Sequence, residues 1–386
     1  MAITQIDSVE FETSLCQANS LINIDGTDYY ISAYKGVDND GFLTSFSVDS
    51  SYEITEIDTL EHDTTEGSTT SLCYLTGLNF ILGYGTTDNV GHVKLFSIDS
   101  GAEITQLYDL TLTTGTNSFI YPSIVKINND HIIILYENYY TNKVVCTTLS
   151  ISGANVVSTI KSIDVDTGNN VGGSTASMVQ IDSTHYFVAY TGDGGDGYVG
   201  VLTIDGSYDI SVTSTLEHDT DIGIWNSVVK IDSTHFMLAY SGSGTDGFIK
   251  TFSIDGSYNI TEIDSLEHDT SDCNYNALTK LDSTHYGLVY RGVDADGFIK
   301  TFSINGSYEI TQIDSLEHDT TLGSYNSAIT IDSNHVLASY SGADSDGFIK
   351  TFAMGISSGW SHKINGISPA KVNGIAVADI EKINGV

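Results

Sequence analysis

The chain has 386 residues and sets 50 aspartates and glutamates against 14 lysines and arginines, a formal net charge of −36 at pH 7. That balance repels phosphate backbones and anionic membranes, which argues against nucleic acid and lipid surfaces as partners. Hydrophobic residues make up 40% of the chain, enough for a packed core, while no apolar run approaches the roughly 18 residues of a membrane helix.

The first segment, ITQIDSVEFET at 3–13, is rich in β-branched residues and reads as a strand. Nothing in it has the basic and apolar regions of a secretory leader, so the expectation is synthesis in the cytoplasm. Its pattern returns as ITEIDTLEHDT at 54–64, ISVTSTLEHDT at 210–220, ITEIDSLEHDT at 260–270 and ITQIDSLEHDT at 310–320. A second anchor falls at Phe46, Phe96, Leu149, Leu202, Phe252, Phe302 and Phe352, with separations of 50, 53, 53, 50, 50 and 50 residues, which gives seven units.

Within one unit, SVVKID (227–232), HFMLAYS (235–241), FIKTFSID (248–255) and YNITEIDSLEH (258–268) read as four strands, punctuated by Asp-Ser, Asp-Gly and Gly-Ser turns. Proline occurs only at Pro122 and Pro369, and no stretch shows a sustained apolar helical stripe. Four short strands recurring seven times predict an all-β chain folded as a seven-bladed β-propeller over 1–353. The seventh unit stops after its third strand near Phe352, and residues 1–13 supply the missing outer strand of the blade at 325–353. Units within 104–209 diverge and lose the Glu-His-Asp-Thr signature. The four cysteines, Cys16, Cys73, Cys146 and Cys273, lack paired spacing and are expected to be reduced core residues.

In such blades the outer-to-inner loops and the turns between second and third strands share one face, which is therefore acidic. Glu61, His62 and Asp63, Glu217, His218 and Asp219, Glu267, His268 and Asp269, and Glu317, His318 and Asp319 lie there, beside Asp246. Paired carboxylates with a histidine suit acid–base work. Recurrence in four blades favours instead side-chain to backbone bonds that tie loops. Asp38 and Asp40, Asp294 and Asp296, and Asp344 and Asp346 form Asp-x-Asp-Gly turns. Ca²⁺ is the one ion they would suit, but they lack the further ligands of a complete loop, and Asp-Gly equally serves a tight hairpin. No motif requires a cofactor. His131, His185, His235, His285 and His335 follow a turn and are expected to be structural.

Trp225, Tyr275 and Tyr325 occupy equivalent positions just before Asn226, Asn276 and Asn326. Aromatic faces beside amides suit sugar recognition, because rings stack on C–H surfaces while amides bind hydroxyls; packing between blades is the alternative. No nucleophile elbow, P-loop or zinc-protease motif is present.

After Phe352 the composition changes. Residues 354–386 carry three lysines against Asp379 and Glu381, a net of +1, which leaves −37 on the rest. Three copies of one pattern follow: Lys363, Ile364, Asn365 and Gly366; Lys371, Val372, Asn373 and Gly374; Lys382, Ile383, Asn384 and Gly385. They read as short β-segments with Asn-Gly turns, too small to hold a core and so expected to dock on a partner.

This tail resembles C-terminal segments of structural proteins of tailed bacteriophages, and the acidic repeats are similar to propeller repeats of phage and marine bacterial surface proteins. The resemblance implies a non-enzymatic virion protein, made in the host cytoplasm and assembled as an oligomer. Its propeller would decorate the particle or contact a host-surface glycan or protein, with 354–386 attached to other virion proteins. The rivals are an extracellular, lectin-like bacterial adhesin and a propeller glycan hydrolase or lyase.

Overall fold

The computed structural model describes residues 2–86, 90–113, 119–138, 141–166 and 176–356, together with 371–372 and 375–376. Seven four-stranded antiparallel sheets make up the ring. Blades I to VI span 17–63, 68–111, 120–164, 177–219, 224–269 and 274–319, each running in order from inner to outer strand. Blade VII takes its inner three strands from 324–353 and its outer strand from Thr4–Glu12.

The N-terminal strand closes the ring as expected from sequence, and its register sets Thr4 opposite Ala353 and Glu12 opposite Gly347. Ile3 is buried, and its amide donates to Asp314 Oδ2 in blade VI at 2.7 Å. Asp7, Asp58 and Asp264 repeat the contact, accepting the amides of Ile54, Ile104 and Ile310 at 2.7–2.8 Å. Asp7, Asp58, Asp264 and Asp314 thus each link successive outer strands.

Burial explains the strand sequences. Second strands such as His235–Ser241 are covered on both sides by neighbouring blades and read as continuous apolar runs. Outer strands face solvent on one side, and Ile210–Asp219 alternates accordingly. The anchors Phe46, Phe96, Leu149, Leu202, Phe252, Phe302 and Phe352 are all fully buried between blades.

Around the axis, the hydroxyls of Ser20, Ser71, Ser177, Ser227 and Ser327 accept amides of the next blade's inner strand at 2.9–3.1 Å. On the face opposite the acidic loops, His131, His185, His235 and His335 stack on Tyr208, Tyr258, Tyr308 and Tyr52 of the following blade, with centroids 3.6–3.8 Å apart.

Beyond the ring, Lys371–Val372 pair antiparallel with Ile375–Ala376. The other residues expected to attach the tail, Lys363, Ile364, Asn365, Gly366, Asn373, Gly374, Lys382, Ile383, Asn384 and Gly385, lie outside the described residues.

Candidate functional site

The residues singled out by sequence separate into two groups, one in the seams between blades and one around the axis. Glu-His-Asp ends each outer strand of blades I, IV, V and VI, opposite a glycine that opens the third strand: Gly41 faces Asp63 and Gly297 faces Asp319. His62, His218, His268 and His318 lie over these glycines. A Cβ added at Gly197 would come 2.6 Å from the His218 ring, so the close approach requires glycine.

Each aspartate accepts a hydrogen bond from a tyrosine of the next blade. Tyr84, Tyr240, Tyr290 and Tyr340 reach Asp63, Asp219, Asp269 and Asp319 at 2.6–2.9 Å. Burial opposes ionisation of Asp269 and Asp319, but their hydrogen bonds, Tyr290 and Tyr340 among them, outweigh it and hold both carboxyls below the usual range.

Beside this bond, Lys94, Lys250, Lys300 and Lys350 donate to the main-chain carbonyls of His62, His218, His268 and His318 at 2.5–2.8 Å. Lys126, Lys230 and Lys280 likewise donate to the preceding blade's carbonyls of Leu75, Ile181 and Ile231. Among the described residues, these seven lysines thus donate to main-chain carbonyls across blade junctions. The surface is left acidic as a result.

The glutamates stand outermost. Desolvation, and then the adjacent Asp196 or Asp296, raises the carboxyls of Glu217 and Glu317 above the usual range. The Asp-x-Asp-Gly segments form tight turns in which Gly36 donates to the Asp40 carbonyl and Gly292 to that of Asp296, both within 2.9 Å. Asp38, Asp294 and Asp344 sit within these turns at φ of 56–58°. Among the described residues, no group of three or more His, Cys, Asp or Glu is placed to hold a metal ion.

Around the axis the arrangement is different. Each inner strand of blades I, II, III, V, VI and VII begins with a register shift. In each, one residue within the shift has left-handed φ: Ala18, Thr69, Tyr121, Trp225, Tyr275 and Tyr325, all between 48° and 57°. A bulge re-aims its side chain, and here the six converge on one cavity of about 270 Å³ at the acidic face. None is a glycine, and a left-handed non-glycine residue costs roughly 1–3 kcal/mol unless its surroundings over-determine it.

The over-determination is visible. The Asn276 amide donates to the Trp225 carbonyl and the Asn326 amide to the Tyr275 carbonyl, each at 3.2 Å. Thr70 Oγ1 does the same for Ala18. Asn226 and Asn326 also donate to Gly223 and Gly323 at 3.0 and 2.8 Å. The asparagines predicted to bind hydroxyls thus have their amide nitrogens committed to the collar, although their side chains still line the cavity.

The aromatic members pack in sequence across the axis. Tyr121 meets Trp225 edge-on at 5.8 Å, Trp225 meets Tyr275 at 4.1 Å and Tyr275 meets Tyr325 at 4.5 Å. Arg291 lies over Tyr275 at 5.2 Å. Burial, and then the adjacent Tyr325, keeps the Tyr275 phenol above its usual range, so it stays a hydroxyl donor. Lys35, which also lines the cavity, pairs with Glu66 at 4.0 Å. Tyr121 and Lys35 escaped the sequence reading: blade III has lost the repeat signature, and nothing local marks the end of a second strand as axial.

No family model and no curated protein matches this sequence. Among solved structures, the periplasmic gluconolactonase of Pseudomonas aeruginosa is similar, at 12% identity and a TM-score of 0.59, over 78% of this chain and 85% of that one. A candidate 6-phosphogluconolactonase of Bacteroides uniformis follows at 9% identity and a TM-score of 0.58, over 77% of this chain and 84% of that one. What is shared is the fold, a seven-bladed propeller.

Proposed function

We propose that the protein is a non-enzymatic saccharide-binding propeller that takes one sugar unit at the axial collar. The observation that carries this reading is the convergence of four aromatic rings on one cavity through strained bulges. Left-handed backbone at non-glycine residues gathers at functional sites, because its cost needs compensation. Ring faces supply stacking area, and the Tyr275 hydroxyl supplies a polar partner. A cavity of about 270 Å³ suits a single ring rather than a long chain.

No cofactor enters this reading. The tail's resemblance to phage structural proteins favours a virion as the particle that displays the propeller, with 354–386 attached to other virion proteins and the collar facing a host-surface glycan. A bacterial surface adhesin would use the same collar.

The names of the two structural neighbours favour a second reading, hydrolysis of a sugar lactone in the axial cavity. Such hydrolysis needs a group that activates water, and the one charged side chain among the described lining residues is Lys35, already paired with Glu66. Binding is therefore better supported.

A glycan array followed by calorimetry tests the proposal. The expected result is a saccharide bound by the intact protein and lost in Tyr275→Ala. Turnover of gluconolactone that disappears in Lys35→Met would establish the second reading instead.

A further inference from the structure

His62, His218, His268 and His318 fill one slot of the repeat, and in blades II, III and VII that slot holds Leu112, Val165 and Phe11. Phe11 shows the character of the slot. Its ring meets Tyr34 and Phe46 of the next blade edge-on, at 5.1 and 5.5 Å. The His318 ring meets Tyr340 and Phe352 in the same way, at 4.8 and 5.4 Å. Histidine thus stands where the chain elsewhere places a hydrocarbon.

The imidazoles are correspondingly unprovided for. Both ring nitrogens of His62, His218 and His318, and Nδ1 of His268, are buried without a hydrogen-bond partner. His268 Nε2 has only the Cys273 thiol, at 3.8 Å. The charged and titratable groups around each ring are its own aspartate and the next blade's lysine and tyrosine, with Asp109 added at His62 and Glu262 beyond Lys250 at His218. Each aspartate is engaged by its tyrosine, and each lysine donates to the histidine's own carbonyl. A protonated imidazole would meet a buried cation, and the one backbone acceptor near the rings of His62, His268 and His318 is their own carbonyl, which already accepts from the lysine. Burial, and then the lysine charge, pushes all four down to about 3.

Three of these seams are consecutive. His218, His268 and His318 join blades IV to V, V to VI and VI to VII. Blades V, VI and VII also carry Trp225, Tyr275 and Tyr325, and the Asn276 and Asn326 amides cross the same junctions.

We propose that the four histidines make the ring acid-labile, His218, His268 and His318 along the arc from blade IV to blade VII and His62 at the seam of blades I and II, so that mild acid parts these seams and disperses the axial collar. Release of a bound saccharide in acid would follow, and only that consequence rests on the function proposed above.

The sign is fixed by linkage. A histidine whose folded form resists protonation contributes stability fully above its unfolded pKa of roughly 6.5, and that contribution fades as pH falls below it. Ordinary carboxylates titrate near roughly 4, and Glu61, Glu217, Glu317 and the remaining histidines are the same in parent and variant, so the difference between the two proteins from about pH 6.5 to 4.5 reports the four buried histidines.

The test uses the full chain with Trp360→Phe, which leaves Trp225 as the sole tryptophan. Its emission and the thermal midpoint are followed from pH 7.5 to 4.5, without saccharide. The expected result is a red shift and a falling midpoint below about pH 6.5, both abolished in H62L/H218L/H268L/H318L, which copies the leucine of blade II. A quadruple variant that keeps the same pH profile overturns the proposal. Should that variant fail to fold, H218V and H318F each copy another blade and are expected to take up about one proton fewer on unfolding; uptake unchanged in both overturns it equally. Neither readout depends on saccharide binding, so failure of the sugar reading leaves this test intact.

Discussion

The hydroxyl of Tyr290 donates to the carboxylate of Asp269 at 2.6 Å, across the junction of blades V and VI. The two residues are 21 apart in sequence, and the same spacing joins Tyr84 to Asp63, Tyr240 to Asp219 and Tyr340 to Asp319. A motif with the composition of an active site therefore serves as a repeated fastening. Removing one donor leaves a half-buried carboxylate short of a partner. Tyr290→Phe is expected to lower stability by about 1–2 kcal/mol, read from urea unfolding at pH 7. The Asp269 pKa should rise toward its ordinary value, so the acid-dependent loss of stability from this carboxyl should be smaller in the variant and complete at a higher pH than in the parent.

Removing Lys300 is expected to cost more than removing the Tyr290 hydroxyl. Its Nζ is bonded to the His268 carbonyl at 2.6 Å and lies 3.4 Å from Asp269. Lys300→Met keeps the apolar stem and removes both contacts. A loss of about 1.5–3 kcal/mol is expected, again from urea unfolding, with little change at an exposed lysine such as Lys161.

Closure can be weakened at a single side chain. Phe11, in the N-terminal strand, packs edge-on against Tyr34 and Phe46 of blade I. Phe11→Ala is expected to cost about 2–4 kcal/mol, toward the lower part of the range for core aromatics because the ring is half-buried. Deleting 1–13 should lower the thermal midpoint much further. An unchanged midpoint in the deletion would contradict the strand pairing itself.

At the collar, strain and side chain can be separated. Trp225 has φ of 54°, which glycine adopts freely and alanine does not. Trp225→Gly should be more stable than Trp225→Ala by about 0.4–1 kcal/mol or more, while both lose saccharide binding alike. Differential scanning calorimetry and titration calorimetry on the pair check the two halves.

The cysteines give a simple solvent test. Burial raises the thiols of Cys16, Cys73, Cys146 and Cys273 well above the ordinary thiol range, that of Cys73 to about 12. A thiol so placed is a poor nucleophile. The native protein at pH 8 should react with no thiol reagent on the scale of minutes, and the unfolded protein should titrate all four.

Much of the ring was legible in the residues because it rests on repetition and strand period. Phe252 and Phe302 differ by 50 residues and occupy the same buried position in adjacent blades, and the fragment at 3–13 matched an outer strand whose partner stopped at Phe352. The collar was half legible. Trp225, Tyr275 and Tyr325 were recognisable as equivalent, but their inward aim depends on bulges at non-glycine residues, which carry no turn signature. The role of the histidines was hidden for a related reason. His62 and Leu112 differ in polarity yet share a slot, and only the contacts of Phe11 show that the slot is apolar.

The pairing of Thr4 with Ala353 has a consequence for how the molecule is made. During translation the first strand emerges long before its partner and must wait, unpaired, until the last blade leaves the ribosome. Contacts so distant along the chain slow folding, since the entropy of closing the loop is lost before any pairing is gained. Up to that moment one flank of blade VII's site and the Tyr34 side of blade I are open to other copies. An intermediate that swaps first strands between two chains is the natural hazard of this design, and low expression temperature should favour the monomeric ring over exchanged dimers.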